Sequence, residues 1–178
     1  MPKNEPITCY LQNDQVITEE SNLAIELSNT YVYGIVQKKK YVQLSLIESL
    51  YLLEKQKIIV LDGRKKPYSY ERLYKIGCKF DKSFRIKYVV FKDFREKGYV
   101  IKTAFKFGAE FRVYDRGIKP GQDHAKWIVY PVHEKDVMTW YEFSAKNRVA
   151  HSTKKRLLLG IVDEENDITY YEIRWLRP

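Results

Sequence analysis

Apolar residues recur along this chain with two periods, and the switches between them divide it into elements. Across residues 7–44 they come in short β-rich pieces, 7–11, 31–36 and 41–44, set between polar turns, which predicts mostly short strands in a small sheet. Helical spacing takes over at Leu46, Leu50 and Leu53, which share one face of a helix reaching about Gln56. Its start is marked by Ser45-Leu46-Ile47-Glu48, a capping box in which the serine oxygen and the glutamate carboxylate satisfy free N–H groups. Residues 57–62, KIIVLD, read as a buried strand, 63–67 as a turn, and 68–77 as a short helix capped by Ser69. From 82 to 97 the stripe Ile86, Val90, Phe94, with Val89 alongside, predicts a helix that Gly98 ends in the left-handed conformation. Strands follow at 99–103, 105–114 and 126–133. A second capping box, Thr139-Trp140-Tyr141-Glu142, opens a helix towards His151, and strands at 156–163 and 168–176 flank the turn 164–167. The expected organisation is two α/β (α+β) domains, residues 1–81 and 82–178, the second a mixed central sheet flanked by helices.

Within that second half, residues 105–114 alternate strictly. Phe105, Phe107, Ala109, Phe111 and Val113 make an apolar row, while Lys106, Gly108, Glu110, Arg112 and Tyr114 make the opposite one. Tyr114 closes the polar row just before the turn-like Asp115-Arg116-Gly117. It is expected to face something other than the core.

Composition narrows the class of protein. An apolar content of 44% over 178 residues is that of a folded chain of one or two domains. Lysine and arginine exceed aspartate and glutamate by 32 to 23, a net +9, with tight basic clusters at 38–40, 64–66 and 154–156. A basic surface with many aromatics suits a polyanion such as nucleic acid, although solubility alone also explains a positive excess. Cys9 and Cys78 are isolated, with neither CxxC spacing nor a histidine nearby, so the chain is expected to be reduced and cytoplasmic, with no zinc site and no cofactor. No apolar run approaches the roughly 20 residues that span a bilayer, and the N-terminus lacks a signal-peptide core. A soluble, intracellular protein without a membrane partner is the expectation.

Candidate chemistry centres on residues 105–155. Of three histidines, His124 lies in the polar loop Gly121-Gln122-Asp123-His124, His133 ends an apolar strand beside Glu134, and His151 ends a helix, where the dipole and free carbonyls account for it. Tyr114 at a strand end, His124 ten residues on and Lys155 entering a later strand together resemble the catalytic domain of the archaeal-type tRNA-splicing endonucleases. The likeness is carried by KFGAEFRVYDRG around Tyr114, DHA around His124 and RVAHSTKK ending in Lys155, preceded by REKGYVIKT. It continues upstream through LSLIESLYLLEK and YERLYKIG and covers roughly residues 43–178.

The resemblance implies a C-terminal nuclease domain that cuts precursor tRNA at bulge-helix-bulge sites without a metal. In that family the tyrosine takes the proton from the ribose 2′-OH, the histidine protonates the leaving 5′-oxygen and the lysine stabilises the phosphorane charge. The products are a 2′,3′-cyclic phosphate and a 5′-OH. Tyr114, His124 and Lys155 occupy those positions. Imidazole, with a usual pKa near 6.5, suits proton donation around neutrality, and an ammonium on a phosphate oxygen favours the transition state. A free tyrosine ordinarily titrates near 10, so only about one in a thousand is tyrosinate at neutral pH. A neighbouring cation such as Lys155 would favour the tyrosinate; alternatively Tyr114 only orients the 2′-OH.

Substrate contacts are implied in the same way. The family sandwiches a bulged base between arginines, a role that falls by position on Arg148, with Arg174 or Trp175 on the other side. The plainer alternative makes Trp175 core and Arg174 a solvated residue. Glu110, Arg112 and Lys126 are expected to line the same polar face. Two other functions compete: a metal-dependent nuclease using Glu110 and Asp115, and a non-catalytic RNA-binding or structural subunit, against which all three catalytic positions are filled. The resemblance also implies a four-subunit assembly. The last strand, with Tyr171, Ile173 and Trp175 alternating, is a candidate for pairing across an interface. In the family an acidic loop of one subunit docks on another; here the corresponding His133-Glu134-Lys135-Asp136 carries a lysine, which favours a hetero-tetramer with a second structural subunit over a homo-tetramer.

Overall fold

The computed structural model describes residues 5–37, 40–104 and 110–176. The chain forms two compact units, one up to Phe84 and one from Arg85 onward. The first holds a five-stranded sheet in the order β3-β4-β2-β1-β5, made of β1 (Ile7–Gln12), β2 (Gln15–Thr18), β3 (Ile35–Val36), β4 (Val42–Ser45) and β5 (Ile58–Leu61). Among the described residues of this sheet, only β1 and β5 pair in parallel. Helices α1 (Asn22–Asn29), α2 (Leu46–Glu54) and α3 (Tyr70–Phe80) complete it.

Local chemistry explains where these helices start. Glu48 Oε2 accepts from the Ser45 N–H at 3.1 Å while Ser45 Oγ accepts from the Glu48 N–H at 3.3 Å, the full capping box. The other carboxylate oxygen accepts from the Gly34 N–H at 3.0 Å, so the buried Glu48 ties the helix start to a left-handed turn at Gly34. Ser69 caps α3 as its sequence position predicts. The segment expected to be mostly short strands departs from expectation: β2 at Gln15–Thr18 lies outside the expected pieces, and of 31–36 only Ile35 and Val36 form a strand. Residues 22–29 form a helix, capped by Ser21 and burying Ala24 and Leu27. Cys9 is fully buried and its thiol is pushed up to about 12 by that burial.

The second unit is a mixed sheet in the order β10-β9-β8-β7-β6, from β6 (Val100–Thr103), β7 (Phe111–Tyr114), β8 (Trp127–His133), β9 (Arg156–Val162) and β10 (Ile168–Ile173). β8 and β9 are parallel; the other neighbours are antiparallel. Residues 105–109, the first half of the expected 105–114 strand, lie outside the described residues.

Helices cover both faces of this sheet. Helix α4 (Phe84–Glu96) lies on one, with Phe91 packing on Phe111 at 6.2 Å between rings and the Tyr170 hydroxyl donating to Asp93 at 2.7 Å. Gly98, at φ +83, ends α4 as expected. Helix α5 (Trp140–Ser152), started by the Thr139–Glu142 capping box, lies on the other, where Ala150 packs with Ala104, Ile128, Tyr130 and Leu157. Because both faces are covered, Tyr114 is only 5% exposed, whereas the alternation had pointed to an open face. Among the described residues no helix is long and apolar enough to cross a membrane.

Candidate active site

Three neighbouring strand ends meet at one end of the second sheet. Tyr114 is the last residue of β7, Lys126 precedes β8 and Lys155 precedes β9. The Lys126 N–H donates to the Val113 carbonyl at 2.8 Å, and the Arg156 N–H donates to the Lys126 carbonyl at 3.0 Å. These two bonds place the three backbones side by side. Antiparallel β7–β8 and parallel β8–β9 pairing make this the only arrangement of ends: β7 finishes where β8 and β9 begin. His124 sits two residues before Lys126, exposed, in a loop that turns at Gly117 (φ +79) and Gly121 (φ +94) and is anchored by the buried Ala125.

The side chains reinforce this convergence for two of the candidates. Arg112 pairs across the strands with Ile128, so it shares the α5 side of the sheet with Tyr114. Its guanidinium lies 5.9 Å from the centre of the Tyr114 ring. The Lys155 ammonium donates to the Thr153 carbonyl at 2.7 Å. Burial, reinforced by the charge of Arg112, holds Lys155 below the usual lysine range. Arg112 thus adjoins the Tyr114 ring, and its charge is felt at Lys155.

Lys155 also lines a groove with Asn147, His151, Lys154, Arg174 and Trp175. Two of the expected base-binding residues are therefore beside the lysine. Trp175 is 48% exposed, not core, and its ring stands 4.4 Å from that of His151. His151, at the end of α5, thus belongs to this groove as well as to the helix end. Arg148 is exposed on α5 but is not part of the groove lining. Arg174 is held in place by Glu172, which accepts from Arg174 Nε at 2.7 Å, Trp127 Nε1 at 2.7 Å and Arg156 Nη1 at 3.3 Å. Those donors, Trp127 first, pull the Glu172 carboxyl down to about 2.

The carboxylates of the metal-nuclease reading are otherwise engaged. Glu110 pairs with Lys87 at 2.8 Å and Asp115 with Lys126 at 3.0 Å. They flank β7 at opposite ends, five residues apart and hence about 16 Å along an extended chain, too far to grip one ion. Among the described residues, no three His, Cys, Asp or Glu side chains are grouped to hold a metal.

Sequence comparison bears on both units. The family model described as tRNA intron endonuclease, catalytic C-terminal domain, matches residues 84–170, and that of the N-terminal domain matches residues 7–74. A tRNA-splicing endonuclease of Thermococcus onnurineus (strain NA1) is 42% identical over 173 residues, covering 97% of this chain and 98% of that protein. One of Nanoarchaeum equitans (strain Kin4-M) is 45% identical over 142 residues, covering 76% of this chain and 90% of that protein. One of Methanothermobacter thermautotrophicus (strain ATCC 29096 / DSM 1053 / JCM 10044 / NBRC 100330 / Delta H) is 38% identical over 166 residues, covering 93% and 95%. With both domain models matched in order, and relatives this similar aligned over nearly their whole length, the chain belongs to the tRNA intron endonuclease family.

Proposed function

We infer that this chain cuts precursor tRNA at bulge-helix-bulge splice sites by metal-independent attack of a ribose 2′-OH on the adjacent phosphate. The observation that carries the reading is the meeting of the β7, β8 and β9 ends, with Tyr114 and Lys155 on the two backbones that flank the start of β8 and the His124 loop leading into β8, inside the segment matched by the catalytic-domain model. Tyr114 accepts the 2′ proton as the 2′-oxygen bonds to phosphorus. The bond from phosphorus to the 5′-oxygen breaks, and His124 gives that oxygen its proton. Lys155 stabilises the charge that builds on the phosphoryl oxygens. A phosphate arriving beside Lys155 favours its charged form, which partial burial and the charge of Arg112 disfavour. The leaving ends are a 2′,3′-cyclic phosphate and a 5′-OH, with no water consumed.

Arg174 and Trp175, in the groove that Lys155 lines, and Arg148 on α5 hold the unpaired bases of the bulge by stacking, and Lys126 adds positive charge for the backbone. The enzyme acts as one of four subunits, so that two active sites meet two splice sites. Cleavage of a bulge-helix-bulge RNA in excess EDTA, with the product ends identified, tests the chemistry. Undiminished cutting with cyclic phosphate ends is expected; loss of activity restored by magnesium would contradict it. Light scattering during turnover should give the mass of a tetramer, and an active monomer would refute the assembly.

A further inference from the structure

We propose that Arg112 is a second cation for the scissile phosphate, its guanidinium donating to a non-bridging phosphoryl oxygen alongside Lys155; this rests on the active site proposed above. Position supports it first. Arg112 is two residues before Tyr114 on β7, on the same face, with its guanidinium 5.9 Å from that ring and close enough to Lys155 for its charge to be felt there.

Its chemistry is that of a group awaiting an anion. Arg112 Nε is buried and meets no hydrogen-bond acceptor. Among the described residues no carboxylate pairs with it, since the acids nearest in sequence, Glu110 and Asp115, are held by Lys87 and Lys126. Its cross-strand neighbour on β6 is another cation, Lys102. A buried donor without an acceptor, next to like charges, is an arrangement folding alone disfavours. An incoming phosphate offsets the like charges, and the planar fork of arginine matches a phosphate's oxygens in a way lysine does not. The phosphorane carries more negative charge than the ground state, so the contact strengthens as the reaction proceeds.

A purely structural role, bracing the Tyr114 ring, makes different predictions. The test compares Arg112→Met, Arg112→Lys and Lys155→Ala in single-turnover cleavage of a bulged RNA, using a normal scissile phosphate and one with a non-bridging oxygen replaced by sulfur. Melting temperatures are measured alongside. As a phosphate ligand, Arg112→Met loses about 10²- to 10³-fold in rate, melts no lower than the parent, and shows a smaller sulfur effect; Arg112→Lys recovers part of the rate. The proposal is overturned if Arg112→Met cuts within about three-fold of the parent while Lys155→Ala is inactive. It is equally overturned if Arg112→Met melts lower, Arg112→Lys restores stability and rate together, and the sulfur effect is unchanged. If Lys155→Ala and Arg112→Met both cut at the parent rate, the underlying site is wrong and the proposal falls with it.

Discussion

Glu172→Gln is the substitution whose effect the structure determines most closely. The carboxylate accepts from Trp127, Arg174 and Arg156, and these donors hold it at about 2, against an ordinary 4.5. Taken at face value, that depression is equivalent to about 3 kcal/mol of stability at neutral pH. Much of it is screened, because the side chains of Arg174 and Arg156 are 65% and 46% exposed. Pairs this open are worth at most about 1 kcal/mol each, so Glu172→Gln should cost about 1–2 kcal/mol at pH 7. The sign follows from the depressed carboxyl: its contribution is complete above 4.5 and is lost as pH falls towards 2. All three tryptophans, Trp127, Trp140 and Trp175, lie in the second unit, so fluorescence-detected urea unfolding reports on that unit. The parent and the variant should differ at pH 7 and converge as pH is lowered from 4.5 towards 2. Equal stability at pH 7, or a deficit that persists unchanged in acid, would refute the reasoning.

Two further substitutions test the first unit. A methyl group on Gly77 would lie 2.4 Å from ring atoms of the buried Phe84; after the gain in helix propensity is set against that overlap, Gly77→Ala should cost about 1–2 kcal/mol in circular-dichroism unfolding, and a stabilised variant would show the ring to be free to move. Ser45→Ala removes the hydroxyl that caps α2 and should cost about 1 kcal/mol by the same measurement, with Ser45→Thr recovering most of it; no change would mean that Glu48 holds the helix start unaided.

Elements with chemical punctuation were legible in the chain. Ser45 with Glu48, Ser69, Thr139 with Glu142, and Gly98 each mark a helix end by a local bond or a backbone conformation, and each does so in the structure. Helix α1 was not legible because it is two turns long and has Ala24 where a capping box needs Glu or Gln, so Leu23, Ile25 and Leu27 resemble a strand as readily as a helix. Alternation identified the β7 faces but not their burial, since an arginine row fits a covered face when the stem is buried and only the tip is charged. The groove beside Lys155 was out of reach for another reason. It joins the end of α5, the start of β9 and the end of β10, and its Arg174 is fixed by Glu172, which also accepts from Trp127, 45 residues away. The resemblance named Tyr114, His124 and Lys155, and the alternation put Arg112 on the polar face; the nearness of its guanidinium to the Tyr114 ring required three-dimensional neighbours.

The central claim, proton donation by His124 in metal-independent RNA cleavage, is tested most directly by His124→Ala. The variant should be assayed in single turnover on a bulge-helix-bulge RNA, in excess EDTA. The account predicts a loss of about 10² to 10⁴ in rate, with RNA binding retained. A His124→Ala enzyme that cuts at the parent rate would contradict it.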